Sequence, residues 1–258
     1  MAGVGPGLLS SALLMAAAYL VARRAPHRAP TVTERVSWRE RLATLRMTGG
    51  FSVLIVVVLG GIYSGLVTAT EASALGALAA FVLLALSRRL TRAGLGQALA
   101  ATTRTTAMIF LIIIGGMLFS RFLAYSGIPF ALVDLIRSLE ISPSAVVALM
   151  VLIYTVLGCF IDAVGMIMLT LPFFFPIVRA LGIDPFWFGV LVVLEAELGV
   201  ITPPIGVHLF VVRQIVPDVS VAAIVRGALP YMLVQILVIV LIFVFPPIAL
   251  WLPNRMSY

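Results

Sequence analysis

The residues able to do chemistry in this chain are oxygen donors set into apolar sequence. The longest such group is Gly199-Val200-Ile201-Thr202-Pro203-Pro204-Ile205-Gly206, inside an apolar run from about Phe186 to Val216. Two adjacent prolines remove two backbone donors, and each ring clashes with a carbonyl one turn back. The residue before a proline is pushed out of the α region, which affects Thr202 and Pro203. Glycines at either end let the chain leave and re-enter a helix. The spacing therefore predicts a helix, an unwound segment and a second helix over 186–216. Unwound backbone is tolerated within a bilayer where it lines a polar cavity, and such breaks hold ions and substrates in transporters. The alternative is a proline kink that only shapes one helix.

The second group is Gly158-Cys159-Phe160-Ile161-Asp162-Ala163-Val164-Gly165. Asp162 is the only acid between Glu140 and Asp184. A carboxylate deep in an apolar stretch is expensive and by default marks a functional site. The arms on either side, Ser144 to Phe160 and Met166 to Leu181, are too short for two comfortable spans. The second arm is also broken by Pro172 and Pro176. We read 144–181 as a re-entrant hairpin with Asp162 at its tip. A surface turn with a solvated Asp162 is the alternative. Glu195 and Glu197 stand less than two turns before the break. At least one must face a cavity, since two acids on a lipid face are too costly. His208 follows the break and reaches either that cavity or the surface.

Composition fixes the class of scaffold behind these groups. The chain has 258 residues, 62% hydrophobic and 10% charged, with a mean hydropathy of +1.20. Globular domains are nearer about 45–50% apolar and about 25% charged. Apolar runs approaching the roughly 20 residues of a bilayer crossing recur throughout. This is an all-α polytopic membrane protein. Net charge is +7 and all 17 basic residues are Arg. They cluster in loops between apolar segments, which fits cytoplasmic loops and not a nucleic-acid footprint, so no nucleic-acid partner is expected. The single Cys159 excludes an internal disulfide and lies where a small packing residue belongs. The N-terminus lacks the basic region of a signal peptide.

In chain order, Gly7 to Ala22 is a first apolar segment, short for a span. Residues 23–50 form a basic linker, with 36–46 readable as an interfacial helix or a solvated loop. Phe51 to Leu66 and Ser73 to Leu86 form a helical pair with its turn at 65–70. Thr70 is the expected N-cap of the second helix and Glu71 its acid at the positive end. Arg88, Arg89 and Arg92 return the chain to the basic side. Thr105 to Ala124 is a fuller span whose Gly115-Gly116 permits close helix approach. Residues 129–140 read as an amphipathic interfacial helix. The chain closes with a short helix to Arg226 and a last span from Leu229 to about Leu250. The domain reading is thus 1–22, the linker 23–50, a scaffold pair over 51–104, and a transport-type region over 105–258 with hairpin 144–181 and broken helix 186–216. No motif sets a nucleophile beside a base, binds phosphate or gathers metal-ligating cysteines, so an enzyme is not expected.

These motifs resemble those of the large membrane subunit of tripartite ATP-independent periplasmic (TRAP) transporters, the DctM family. The resemblance rests on Leu157-Gly158-Cys159-Phe160-Ile161-Asp162, Gly182-Ile183-Asp184-Pro185-x-x-Phe188-Gly189 and Gly199-x-Ile201-Thr202-Pro203-Pro204-x-Gly206-x-x-Leu209-Phe210. Pro217-Asp218-Val219, Leu250-Trp251-Leu252-Pro253, Gly60-Gly61-Ile62-Tyr63-Ser64-Gly65 and Thr70-Glu71-Ala72 also fit. It implies one repeat of an inverted-repeat, elevator-type transporter in the bacterial inner membrane. The implied activity is sodium-driven, binding-protein-dependent uptake of organic acids, with no cofactor beyond sodium as coupling ion. Implied partners are a small TRAP membrane subunit and a periplasmic solute-binding protein. Sodium is implied at Gly158, Asp162, Gly199, Thr202, Pro203 and Gly206, and substrate at Thr202, Pro204 and His208. The matched motifs correspond to the second repeat and the end of the first. A separately encoded first-repeat polypeptide, a half that does not transport alone, and a related two-repeat transporter acting as a dimer of half-units are therefore carried as alternatives. Glu195 and His208 stand where family members often carry Asn.

Overall fold

Apolar sequence without strand-like alternation folds here into helices joined by turns, with no strand among the described residues. The computed structural model describes residues 2–24, 37–204 and 206–255; the part of the basic linker over 25–36 lies outside them. The helices are α1 (Val4–Arg24), α2 (Trp38–Tyr63), α3 (Ala69–Leu86), α4 (Arg92–Ser126), α5 (Ile128–Ser138), α6 (Pro143–Gly158), α7 (Ala163–Ala180), α8 (Pro185–Ile201), α9 (Val207–Ile215), α10 (Val221–Val244) and α11 (Pro247–Leu250). Among the described residues five are long and apolar enough to cross a bilayer: α1, α3, α4, α7 and α10. The protein is a multi-pass membrane protein.

The chain forms two compact units, one of residues 30–107 and one of 1–29 with 108–258. The smaller unit is the helical pair. Helix α2 runs unbroken from Trp38 to Tyr63 and absorbs the segment read as a separate interfacial helix. The cap of α3 is Thr68, not Thr70. Its hydroxyl accepts the Glu71 N–H, and the Glu71 carboxylate accepts the Thr68 N–H at 2.8 Å. This is a capping box, and only the Thr68-x-x-Glu71 spacing allows it.

The larger unit carries the two arms joined at 159–162 and the broken helix; of the arms read as too short to span, α7 at 18 residues is long and apolar enough to cross a bilayer. Its core gathers Tyr154 and Met166 from the hairpin arms, Phe188 and Leu191 from α8, and Val238 and Ile242 from α10. Three further expectations fail in this unit. Helix α10 is continuous from Val221 to Val244 with Pro230 inside it, so there is no separate short helix ending at Arg226. Helix α7 likewise continues through Pro172 and Pro176. Membrane helices keep prolines when neighbouring groups cover the freed carbonyls. Pro172 denies an N–H to the Met168 carbonyl, and Gly116 of α4 approaches that carbonyl so closely that a Cβ there would lie 3.1 Å from it. Gly116 thus makes the close approach expected of Gly115-Gly116, while a Cβ at Gly115 would meet nothing within 4 Å. Helix α1, at 21 residues, is longer than the short segment read from the sequence.

Candidate functional site

Helix α8 starts where Asp184 accepts the N–H groups of Phe186 (2.8 Å) and Trp187 (3.1 Å), with Pro185 in its first turn. Its N-terminal half is anchored by Trp187, whose Nε1–H donates to the Ile242 carbonyl of α10 at 2.8 Å. It ends at Thr202, which is extended (φ −101°, ψ 131°) as the prolines require. The Pro203–Pro204 bond is cis. Gly206 then adopts a left-handed backbone (φ 35°) and opens α9. A Cβ at Gly206 would lie 3.0 Å from the Thr202 carbonyl, so the turn is tight as well as left-handed.

Prolines at 203 and 204 carry no N–H, so the carbonyls of Gly199 and Val200 lose their helical donors. Thr202 N–H recovers the Gly199 carbonyl at 3.1 Å. The Thr202 hydroxyl donates back to the Leu198 carbonyl at 2.6 Å. Among the described residues the Val200 carbonyl keeps no hydrogen bond.

The hairpin arms are α6 and α7, joined by 159–162. Asp162 is exposed and N-caps α7, its Oδ2 accepting the Gly165 N–H at 3.0 Å. At the end of α6, Phe160 and Ile161 N–H both donate to the Leu157 carbonyl at 2.9 Å. The carbonyls of Gly158, Cys159 and Phe160 accept no hydrogen bond among the described residues. Inside the hairpin the Tyr154 and Thr170 hydroxyls lie 2.7 Å apart, and Tyr154 stacks edge-on to Phe174 at 5.4 Å.

The hairpin and the break meet at two glycines. A Cβ on Gly158 would lie 3.1 Å from Gly199 Cα, and a Cβ on Gly199 would lie 2.7 Å from the Gly158 carbonyl oxygen. Backbone therefore meets backbone at this crossing, and uncommitted carbonyls lie on both sides of it. Carbonyl and carboxylate oxygens suit a hard cation. No group of three or more His, Cys, Asp or Glu side chains gathers among the described residues. The donor set is thus mostly backbone.

Of the residues singled out from the sequence, Gly158 and Gly199 are in contact, and Thr202, Pro203 and Gly206 form the break itself. Asp162 and Thr202 are not joined by a hydrogen bond among the described residues; each serves its own helix end. Pro204 is exposed in the break, and His208 is exposed in the first turn of α9.

The two glutamates part company. Glu197 is exposed, accepts Gln235 Nε2 at 3.1 Å, and borders a cavity of about 690 Å³ between α1 and α8. Glu195 is 1% exposed and accepts the Thr155 hydroxyl of α6 at 2.8 Å. Sequence reasoning placed one acid in a cavity but missed Thr155 and Gln235. The available signal was spacing: Thr155 precedes Gly158 by three residues and Glu195 precedes Gly199 by four.

The sequence profile of the family described as tripartite ATP-independent periplasmic transporter, DctM component, matches residues 1–248. Among curated proteins, the chain is 36% identical to the C4-dicarboxylate TRAP transporter large permease protein DctM of Pseudomonas aeruginosa, over 98% of this chain and 58% of that protein. It is 34% identical to the sialic acid TRAP transporter large permease protein SiaM of Vibrio cholerae, over 98% of this chain and 59% of that protein. It is also 34% identical to the ectoine/5-hydroxyectoine TRAP transporter large permease protein UehC of Ruegeria pomeroyi, over 97% of this chain and 58% of that protein. The chain thus spans a little under three fifths of the length of these relatives.

Proposed function

The chain belongs to the DctM component family of tripartite ATP-independent periplasmic transporters, and on that premise we propose that it is the ion- and solute-handling part of a sodium-driven permease for organic acids. It is a transporter component and not an enzyme. The observation that carries the reading is the contact of Gly158 with Gly199, which brings the hairpin end against the broken helix. Broken membrane helices hold coupling ions with unwound carbonyls. The proposed sodium ligands are carbonyls around Gly158 and Gly199 to Gly206, with the Thr202 oxygen and the Asp162 carboxylate. Thr202, Pro204 and His208 are proposed to border the substrate. Two of the relatives named above are permeases for acids, which supports a carboxylate as solute. A small membrane subunit and a periplasmic binding protein are the proposed partners.

Uptake by proteoliposomes tests this. Carboxylates are offered with and without a sodium gradient, first to the chain alone and then with candidate partners added. Sodium-dependent uptake in any arm supports the proposal, and the arm in which it first occurs says which polypeptides the path requires. Uptake that ignores sodium would remove the coupling ion from the reading.

Asp162 is separable from its capping role. Asp162→Asn retains an N-cap acceptor, whereas Asp162→Ala loses it at a cost of about 1 kcal/mol. Weaker sodium binding in both variants, with stability lowered only in Asp162→Ala, is the expected pattern. Unchanged sodium affinity in Asp162→Asn would leave the residue a cap and nothing more.

A further inference from the structure

Glu195 has no place in the ligand set above, yet it is the most deeply buried acid among the described residues. A buried acid in a membrane segment is costly unless it is well partnered. Among the described residues no cation pairs with it; its partner is the Thr155 hydroxyl at 2.8 Å. That hydroxyl also lies 3.0 Å from the Val151 carbonyl of its own helix. Thr155 is thus held from below by its own backbone and from the side by α8.

The position of this pair along the seam gives it meaning. Thr155 is just under one turn before Gly158 on α6, and Glu195 is just over one turn before Gly199 on α8. The polar pair and the glycine crossing are therefore successive contacts of one helix–helix seam. Beyond the crossing, α6 ends in the hairpin tip and α8 ends in the break. The glycines leave no side chain there to fix register, since two bare backbones can slide along each other. The remaining directional contact on the seam next to the tip is the Glu195–Thr155 bond. Farther along, the hairpin tip carries Cys159, whose Sγ–H donates to the Thr155 carbonyl at 3.2 Å.

We propose that Glu195 is a positioning residue that, through Thr155, pins the hairpin in register against the broken helix and so aligns the tip carbonyls with those of the break. The proposal rests on the ion-site reading only for its consequence; the pin itself is a property of the seam.

Cys159, the single cysteine of the chain and partly buried at the tip, supplies the readout. Its maleimide alkylation rate is measured on the full chain in nanodiscs, with and without sodium. Thr155→Val keeps shape and removes the hydroxyl. It is expected to raise the Cys159 rate about tenfold, the scale of losing one hydrogen bond to a carboxyl group. Glu195→Leu should match it. Glu195→Gln, whose amide oxygen still accepts from Thr155, should accelerate Cys159 less than Glu195→Leu, the two variants having lost the same charge. A reporter at the far end of α6, Ser144→Cys in a Cys159→Ser background, should be unmoved by Thr155→Val. An unchanged Cys159 rate in Thr155→Val overturns the pin, and so does equal acceleration at both cysteines, which would be general loosening. Sodium is expected to slow Cys159 alkylation in the wild type but not in Thr155→Val. If sodium has no effect on the wild type while Thr155→Val still accelerates Cys159 alone, the pin stands and the ion-site reading falls.

Discussion

Gly199→Ala is expected to destabilise this protein strongly and to abolish sodium-dependent uptake. The added Cβ would lie 2.7–2.9 Å from three backbone atoms of Gly158: its carbonyl oxygen, its Cα and its carbonyl carbon. Backbone cannot rotate out of the way as a flexible side chain can. Overpacking a fitted contact costs about 1–3 kcal/mol, and a clash with helix backbone belongs at the upper end. Without a strong hydrophobic force between helices in lipid, such close packing is also what holds them together. The expected result is a lowered thermal midpoint in detergent, read by tryptophan fluorescence, together with loss of sodium-dependent uptake. Gly189→Ala on the same helix is the control, because a Cβ there meets nothing within 4 Å. Equal behaviour of the two variants would mean that the helices do not cross at Gly158 and Gly199.

The second large effect should come from healing the break. Pro203→Ala and Pro204→Ala, combined with Gly206→Ala, return two N–H groups to the chain and remove the residue that adopts φ 35°. Each proline disfavours a helix interior by about 3 kcal/mol relative to alanine. Helices α8 and α9 are then expected to fuse into one. Amide exchange across 199–206 should slow, because the Gly199 and Val200 carbonyls regain partners. Sodium protection of Cys159 should vanish while the protein stays folded. Wild-type uptake by the fused-helix variant would show that unwound carbonyls play no part in transport.

The parts legible in the sequence are those where a residue type permits only one backbone outcome. Pro203-Pro204 cannot continue a helix, so the break at 202–206 was readable to within a residue or two. Asp162 between two apolar arms marked the turn at 159–162, where it caps α7. What misled were residues whose effect depends on a neighbour. Pro172, Pro176 and Pro230 all sit inside continuous helices, and for Pro172 the approach of Gly116 to the Met168 carbonyl is one local reason. Thr70 and Thr68 are equally good caps by type, and only the three-residue reach to Glu71 decides for Thr68. Glu195 and Glu197 lie on different sides of α8, but an all-apolar helix offers no stripe to say which side is buried. Thr155 was invisible alone, since one hydroxyl in an apolar helix usually returns to its own backbone.

The helix caps carry a consequence for how the chain is made. Thr68, Ser142, Asp162, Asp184 and Ser220 each satisfy a backbone donor two or three residues ahead. Those bonds span no more than one turn, so they call on no residue translated after the turn itself. The acids of α8 follow a different timetable. Glu195 meets Thr155, synthesised 40 residues earlier, and can be paired on arrival. Glu197 must wait for Gln235, still 38 residues from being translated. Until α10 emerges, the Glu197 carboxylate therefore lacks the partner it has in the folded chain, and insertion of α10 supplies it.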